Sequence, residues 1–141
     1  MSIYDSTQTN ESQRSVRIYK DLNLDFQQNT ATKDIQKIID VEAVKRSVRN
    51  LINLNHYEKP FHPEIGSNLR AMLFENMTPQ MSHLITKQIE LLIANYEPRA
   101  RLATVKTTPL LDRNAYAVTI NFQVVNQPEP VVMETFLERL R

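Results

Sequence analysis

A single glycine, Gly66, stands in a chain of 141 residues, where average usage of about 7% would place roughly ten. Glycine-rich phosphate loops need several such residues, because backbone N–H groups must approach the phosphate without a side chain in the way. The chain therefore excludes the P-loop, the dinucleotide fingerprint and the kinase loop, and it lacks the GxSxG nucleophile elbow for the same reason. The common nucleotide-dependent enzymes are ruled out before any fold is drawn.

Cysteine is absent, so no disulfide framework, thiolate zinc site, iron–sulfur cluster or Cys nucleophile is available. Seventeen basic residues against sixteen acidic leave a formal charge of +1, too little for bulk electrostatic binding to nucleic acid. With 41% hydrophobic residues and no apolar run near the roughly 20 needed to span a bilayer, the chain reads as a soluble globular protein without a membrane partner. Residues 1–15, rich in Ser, Thr, Gln and Asn, read as a flexible N-terminal tail without a secretory leader. Residues 16–141 read as a single domain.

The segment Ile18–Phe26 alternates apolar residues at 18, 22, 24 and 26 with Asp21, Asn23 and Asp25, the period of a half-buried strand. An extended piece over 33–39 is expected to pair with it. Asp40 is placed as the N-cap of a helix with Val41, Val44, Val48, Leu51 and Ile52 on one face and Lys45, Arg46 and Arg49 on the other. That basic stripe reads as a solvated face or as a dock for an acidic partner. The stretch 56–68, with Pro60, Pro63 and Gly66, is a shaped loop. Ser67 then caps a short helix reaching about Asn76 with Leu69, Met72 and Leu73 inward. Thr78–Pro79 opens a longer helix to Tyr96, with Met81, Leu84, Ile85, Ile89, Leu92 and Tyr96 inward, and Glu97-Pro98 stops it.

The last third is β. Tyr116, Val118, Ile120, Phe122 and Val124 alternate with polar residues, Arg101–Leu111 is the hairpin partner, and Asp112-Arg113-Asn114 is the turn. The segment 131–141 fits one helix face through Val132, Met133, Phe136, Leu137 and Leu140, and equally an edge strand with Val132, Phe136 and Leu140 on one side. The fold class is α+β: central helices on a mainly antiparallel sheet from the C-terminal half.

Chemistry-bearing clusters are sparse. His56 and His62 share a loop with Glu58 and Glu64, but no metal-ligand spacing such as HExxH occurs, and His83 stands apart. Glu75, Glu97 and Asp112 are nominal acid/base candidates without a distinguishing pattern. No catalytic residue, metal or cofactor is assigned. Glu97-Pro98-Arg99 is the tripeptide that stands out: a rigid corner between helix and strand carrying a guanidinium fork. It reads either as a helix stop with a salt bridge or as an interface.

The motifs Pro60-Phe61, Pro63-Glu64-Ile65-Gly66, Leu73-Phe74-Glu75-Asn76-Met77-Thr78-Pro79 and Tyr96-Glu97-Pro98-Arg99, in this order, resemble the baseplate wedge proteins of contractile-tailed phages of the T-even type. That family also includes a baseplate component of type VI secretion systems. The resemblance spans about residues 19–140. It implies a structural subunit of the inner baseplate, present in several copies around the tail axis of the virion and made in the host cytoplasm. It further implies docking to the core bundle of the wedge through Glu97, Pro98 and Arg99. The C-terminal β region resembles the strand-exchange domain of the tail sheath, so Val132, Phe136 and Leu140 are expected to face the sheath protein, and the 131–141 tail is expected to serve assembly but not folding. The family also carries a lysozyme (muramidase) label, the alternative reading.

Overall fold

The computed structural model describes residues 19–125 and 127–139. The expected tail at 1–15 and the candidate interface residue Leu140 lie outside the described residues. Two short strands, β1 (Lys20–Leu22) and β2 (Lys37–Ile39), pair antiparallel with Lys20 opposite Ile39. Helices α1 (Asp40–Asn53), α2 (Leu69–Met72) and α3 (Pro79–Tyr96) follow. Strands β3 (Ala100–Leu110), β4 (Ala115–Val124) and β5 (Pro130–Glu138) form an antiparallel sheet in the order β3-β4-β5.

The sheet follows its sequence pattern closely. All five residues Tyr116, Val118, Ile120, Phe122 and Val124 are buried on one face of β4. The turn is a 3-10 segment, Leu111–Arg113, closed by Asn114 in the left-handed region at φ 49°. Asn tolerates that conformation better than most residues. Strand, and not helix, is the conformation of 130–138: Val131, Met133 and Leu137 point into the core while Val132 and Phe136 point out. Three core side chains in β5 overturn the expectation that the tail is dispensable for folding, since each fully buried aliphatic residue contributes roughly 1.5–3 kcal/mol.

Helices α1 and α3 cover the inner face of this sheet. Val44, Val48, Leu51 and Ile52 of α1 and Ile85, Ile89, Leu92 and Ile93 of α3 share one core with β4 and β5. Thr78 caps α3 by accepting the N–H of Met81 at 3.2 Å, with Pro79 at the first helical position. The inward face of α3 is rotated from the expected one: Leu84 is 49% exposed and Ile93 is fully buried. Helix α2 is a single turn, shorter than the reach to Asn76, and the chain continues in turns from Leu73.

Asp40 is the first residue of α1, at φ 48°, and does not cap it. Its carboxylate accepts the N–H of Tyr19 at 3.1 Å while its own N–H donates to the Tyr19 carbonyl at 2.7 Å, so the residue closes the β1–β2 hairpin. Gly66 sits at φ +145°, and a Cβ there would lie 2.6 Å from the Asn55 carbonyl carbon. Any other residue at 66 would drive the loop away from the end of α1.

The strand expected over 18–26 ends at Leu22, where a turn closed by the Phe26 N–H on the Asn23 carbonyl takes over, and its alternation runs opposite to expectation. Leu22, Leu24 and Phe26 are 59%, 51% and 72% exposed, whereas Asn23 is buried at 5%. The polar side of this segment faces the protein, for a reason found at the corner after α3.

Candidate interaction site

Helix α3 ends because Pro98 restricts the residue before it, and Glu97 leaves the helix at φ −126°, ψ 76°. The Ala100 N–H donates to the Glu97 carbonyl at 3.1 Å, and the Arg99 carbonyl accepts from Val125 at 2.9 Å. The corner is thus held by backbone on both sides of Pro98.

Its side chains close a network within the chain. Arg99 donates from Nε to Glu97 Oε1 at 2.7 Å and from Nη2 to Oε2 at 3.0 Å, a fork on a carboxylate two residues away. The Ser47 hydroxyl, on α1, donates to Glu97 Oε2. Arg99 Nη1 reaches Asp21 Oδ2 on β1 at 3.2 Å, and the guanidinium carbon lies 5.6 Å from the centroid of the Tyr19 ring. One ion pair therefore ties together the N-terminal hairpin, α1 and the α3–β3 corner.

Burial decides the electrostatics. The Glu97 side chain is 4% exposed and that of Arg99 25%. Burial pushes the Glu97 carboxyl up, but the hydrogen bonds from Arg99 and Ser47 outweigh it, so its pKa lies below the ordinary carboxylate value. Arg99 is raised above its already high value, chiefly by the hydrogen bond to Glu97. A second pair repeats the pattern nearby. Arg46 donates from Nη1 to Asp25 Oδ1 at 2.9 Å and from Nη2 to Asn23 Oδ1 at 3.3 Å. The Asp25 carboxyl is lowered mainly by that hydrogen bond.

These two arginines explain the inverted hairpin. Asp21, Asn23 and Asp25 recur every second residue, and Arg99 and Arg46 lie beneath them. Pairing the acceptors inward forces Leu22 and Leu24 outward. Of the basic stripe on α1, Arg46 is taken up in this way and Lys45 pairs with Glu42 at 3.0 Å. Arg49 is exposed.

Sequence reasoning singled out Glu97, Pro98 and Arg99 as a docking motif but not their partners within the chain, Ser47, Asp21 and Tyr19. A signal existed for Ser47: a small hydroxyl one residue before buried Val48 and three after buried Val44 marks the edge of a helix's inner face. The remaining expected sites lie apart. Val132 and Phe136, 58% and 55% exposed, share the outer face of β5. His62 Nδ1 lies 3.1 Å from Glu64 Oε1 on an exposed loop, and no cluster of three or more metal-ligating side chains occurs among the described residues. Glu75 and Asp112 are exposed.

Comparison with known proteins agrees with this architecture. A search of solved structures finds the fold in a putative tail lysozyme from Geobacter sulfurreducens, at TM-score 0.65 and 17% identity, covering 71% of this chain and 91% of that one. It also finds it in the baseplate of the anti-feeding prophage, at TM-score 0.61 and 20% identity, covering 88% of each chain. Among characterised proteins, baseplate wedge protein gp25 of Enterobacteria phage T4 is 30% identical over 115 residues, 82% of this chain and 86% of that protein. The family model described as baseplate wedge protein gp25 matches residues 39–129, from the end of β2 to the loop before β5, and so the chain belongs to this family of structural components of contractile-tail baseplates.

Proposed function

We propose that this protein is an inner-baseplate subunit that docks to the wedge core through the corner at Glu97-Pro98-Arg99 and templates the first ring of the contractile sheath through β5. The supporting observation is the position of β5. It stands at one edge of the sheet, with no strand on its outer side among the described residues, and shows Val132 and Phe136 to solvent. An unpaired edge is an aggregation liability that proteins normally blunt, and here it fits acceptance of a strand from the sheath protein by β-augmentation. The protein assembles in several copies around the tail axis, in the host cytoplasm, and takes no nucleic acid, membrane or cofactor as partner.

The reading as a peptidoglycan hydrolase fits the site poorly. A general acid needs a carboxyl whose pKa is raised, and the Glu97 carboxyl is lowered by Arg99 and Ser47. It stays ionised at neutral pH and has no proton to give.

The test uses the double variant Val132→Lys/Phe136→Lys, which charges the edge strand without touching the core. Baseplates assembled with it are expected to contain the subunit at normal stoichiometry and to nucleate no sheath in a polymerisation assay. Full sheaths on such baseplates would remove the templating role. Peptidoglycan turnover by the purified chain, abolished by Glu97→Gln, would replace the structural reading with an enzymatic one.

A further inference from the structure

Beside the Glu97–Arg99 network lies an open groove of about 790 Å³, walled by β1, α1 and the 56–68 loop. Leu22 and Leu24 form one lip, Pro60 and Ile65 the other, and Leu51 and Leu54 line the α1 side. Adjacent in sequence to Pro60 is Phe61, which is 98% exposed. Phe61 sits at φ 66° and Tyr57 at φ 68°, a region that bulky residues rarely adopt. The loop holding them is fixed: the Tyr96 hydroxyl donates to the Glu64 carbonyl at 2.9 Å, and the Asn55 backbone and side chain both donate to Glu58. Aromatic and aliphatic side chains held in water by a rigid frame are the composition of an interface core.

The charges at the groove have one sign left over. Its acids are used within the chain, Asp21 by Arg99 and Glu58 by Asn55 and Arg70, and its Arg46 is held by Asp25. Lys20 and Lys59 also line it, and neither has a carboxylate within ion-pair distance among the described residues.

We propose that this groove is the surface that grips the wedge partner, and that its occupant is a segment of another baseplate subunit presenting an apolar ridge flanked by carboxylates. The proposal rests on the wedge reading above and changes the part played by the Glu-Pro-Arg corner. Glu97 and Arg99 are positioning residues that hold β1 polar side inward, and Leu22 and Leu24 make the contact. Lys20 and Lys59 select an acidic partner through electrostatic complementarity.

The absence of native cysteine makes a direct test available. The rate at which a maleimide labels Leu24→Cys is measured in the free chain and in purified baseplates. Labelling is expected to be fast in the free chain and at least tenfold slower in baseplates. In parallel, Lys20→Glu/Lys59→Glu is expected to reduce incorporation at least tenfold, with Lys20→Arg/Lys59→Arg incorporated normally. Slow labelling of the free chain overturns the proposal. If removing residues 1–18 then speeds it, the chain's own N-terminal segment fills the groove, and if dilution speeds it, a second copy does. Equal rates in both states, or normal incorporation of the charge-reversed variant, overturn it equally. Absence of the unmodified chain from baseplates overturns the wedge reading along with it, whereas its presence with unchanged labelling removes this proposal alone.

Discussion

The N-terminal hairpin and the C-terminal sheet carry the same two-residue alternation and bury opposite sides of it. On β4 the apolar set points inward and packs against α1 and α3. On β1 and the turn after it Asn23 is buried and Asp21 half-buried, while Leu22, Leu24 and Phe26 stand in water. Alternation shows that the two faces of a segment differ, but extension here ends at Leu22. Asn23–Phe26 is a turn in which the Phe26 N–H donates to the Asn23 carbonyl and the Asp25 N–H to Asn23 Oδ1, each at 3.0 Å. Which face is buried depends on what lies beneath, and here that is two arginines in place of an apolar helix face. Turning Asp21 and Asn23 inward gives acceptors to Arg99 Nη1 and Arg46 Nη2, the donors that Glu97 and Asp25 leave over or share.

The largest effect expected from this difference compares Ile120→Ala with Leu24→Ser. Ile120 is fully buried, so its truncation leaves a cavity between β4 and the helices and should cost about 2–5 kcal/mol. Leu24 is half exposed, and its replacement should alter stability by about 0.5 kcal/mol or less. Urea midpoints of the isolated variants measure both. A loss at Leu24→Ser comparable to that at Ile120→Ala would show that the outward face of the hairpin is core after all.

A finer test removes the reason for the inversion. Arg99→Ala strands the Glu97 carboxylate in a buried position, and breaking a buried pair from one side costs about 3–5 kcal/mol, less here because Arg99 is a quarter exposed. The pH dependence carries the sign. With Arg99 present, the folded-state pKa of Glu97 is below its unfolded value, so the pair's stabilisation is present above the ordinary carboxylate value of 4.5 and is lost as pH falls through the lowered one. Without Arg99, burial dominates and raises the pKa, so the variant is penalised at neutral pH and relieved as the carboxyl protonates. The stability gap between Arg99→Ala and the unmodified chain should therefore narrow from pH 7 to pH 4. A constant gap would mean that Glu97 is not the group Arg99 serves.

How much was legible follows from the range of each determinant. The β3–β4 hairpin was readable because its turn and its apolar face lie within 25 consecutive residues, whereas the break in register between Leu102 and Thr104 left no mark in the pattern. The Thr78–Pro79 start of α3 was readable for the same local reason. The Glu97 corner was visible as a stop, but its chemistry was not, because Asp21 and Ser47 are 78 and 50 residues from their partners. Asp40 misled because a carboxylate next to a helix start has two uses, and the hairpin closure with Tyr19 won over the cap.

The smallest expected effect lies in the sheet and reverses the hairpin's logic. Among the described residues the hydroxyl of Tyr116 has no hydrogen-bond partner, although the residue is 1% exposed on the inner face of β4. Burial raises its phenol pKa, as expected for a group sealed from water. In the hairpin, polar atoms are buried because arginines receive them. At Tyr116 a polar atom is buried because its ring is needed there, packed beside the Pro109 and Leu137 positions of the neighbouring strands. An unsatisfied hydroxyl costs about 1–3 kcal/mol, and Tyr116→Phe removes it while keeping the ring. The variant should therefore unfold at an equal or higher urea concentration, with a gain of up to about 1 kcal/mol. A loss of that size would mean that the hydroxyl does find a partner in solution, and that the sheet, like the hairpin, buries polar groups only where something answers them.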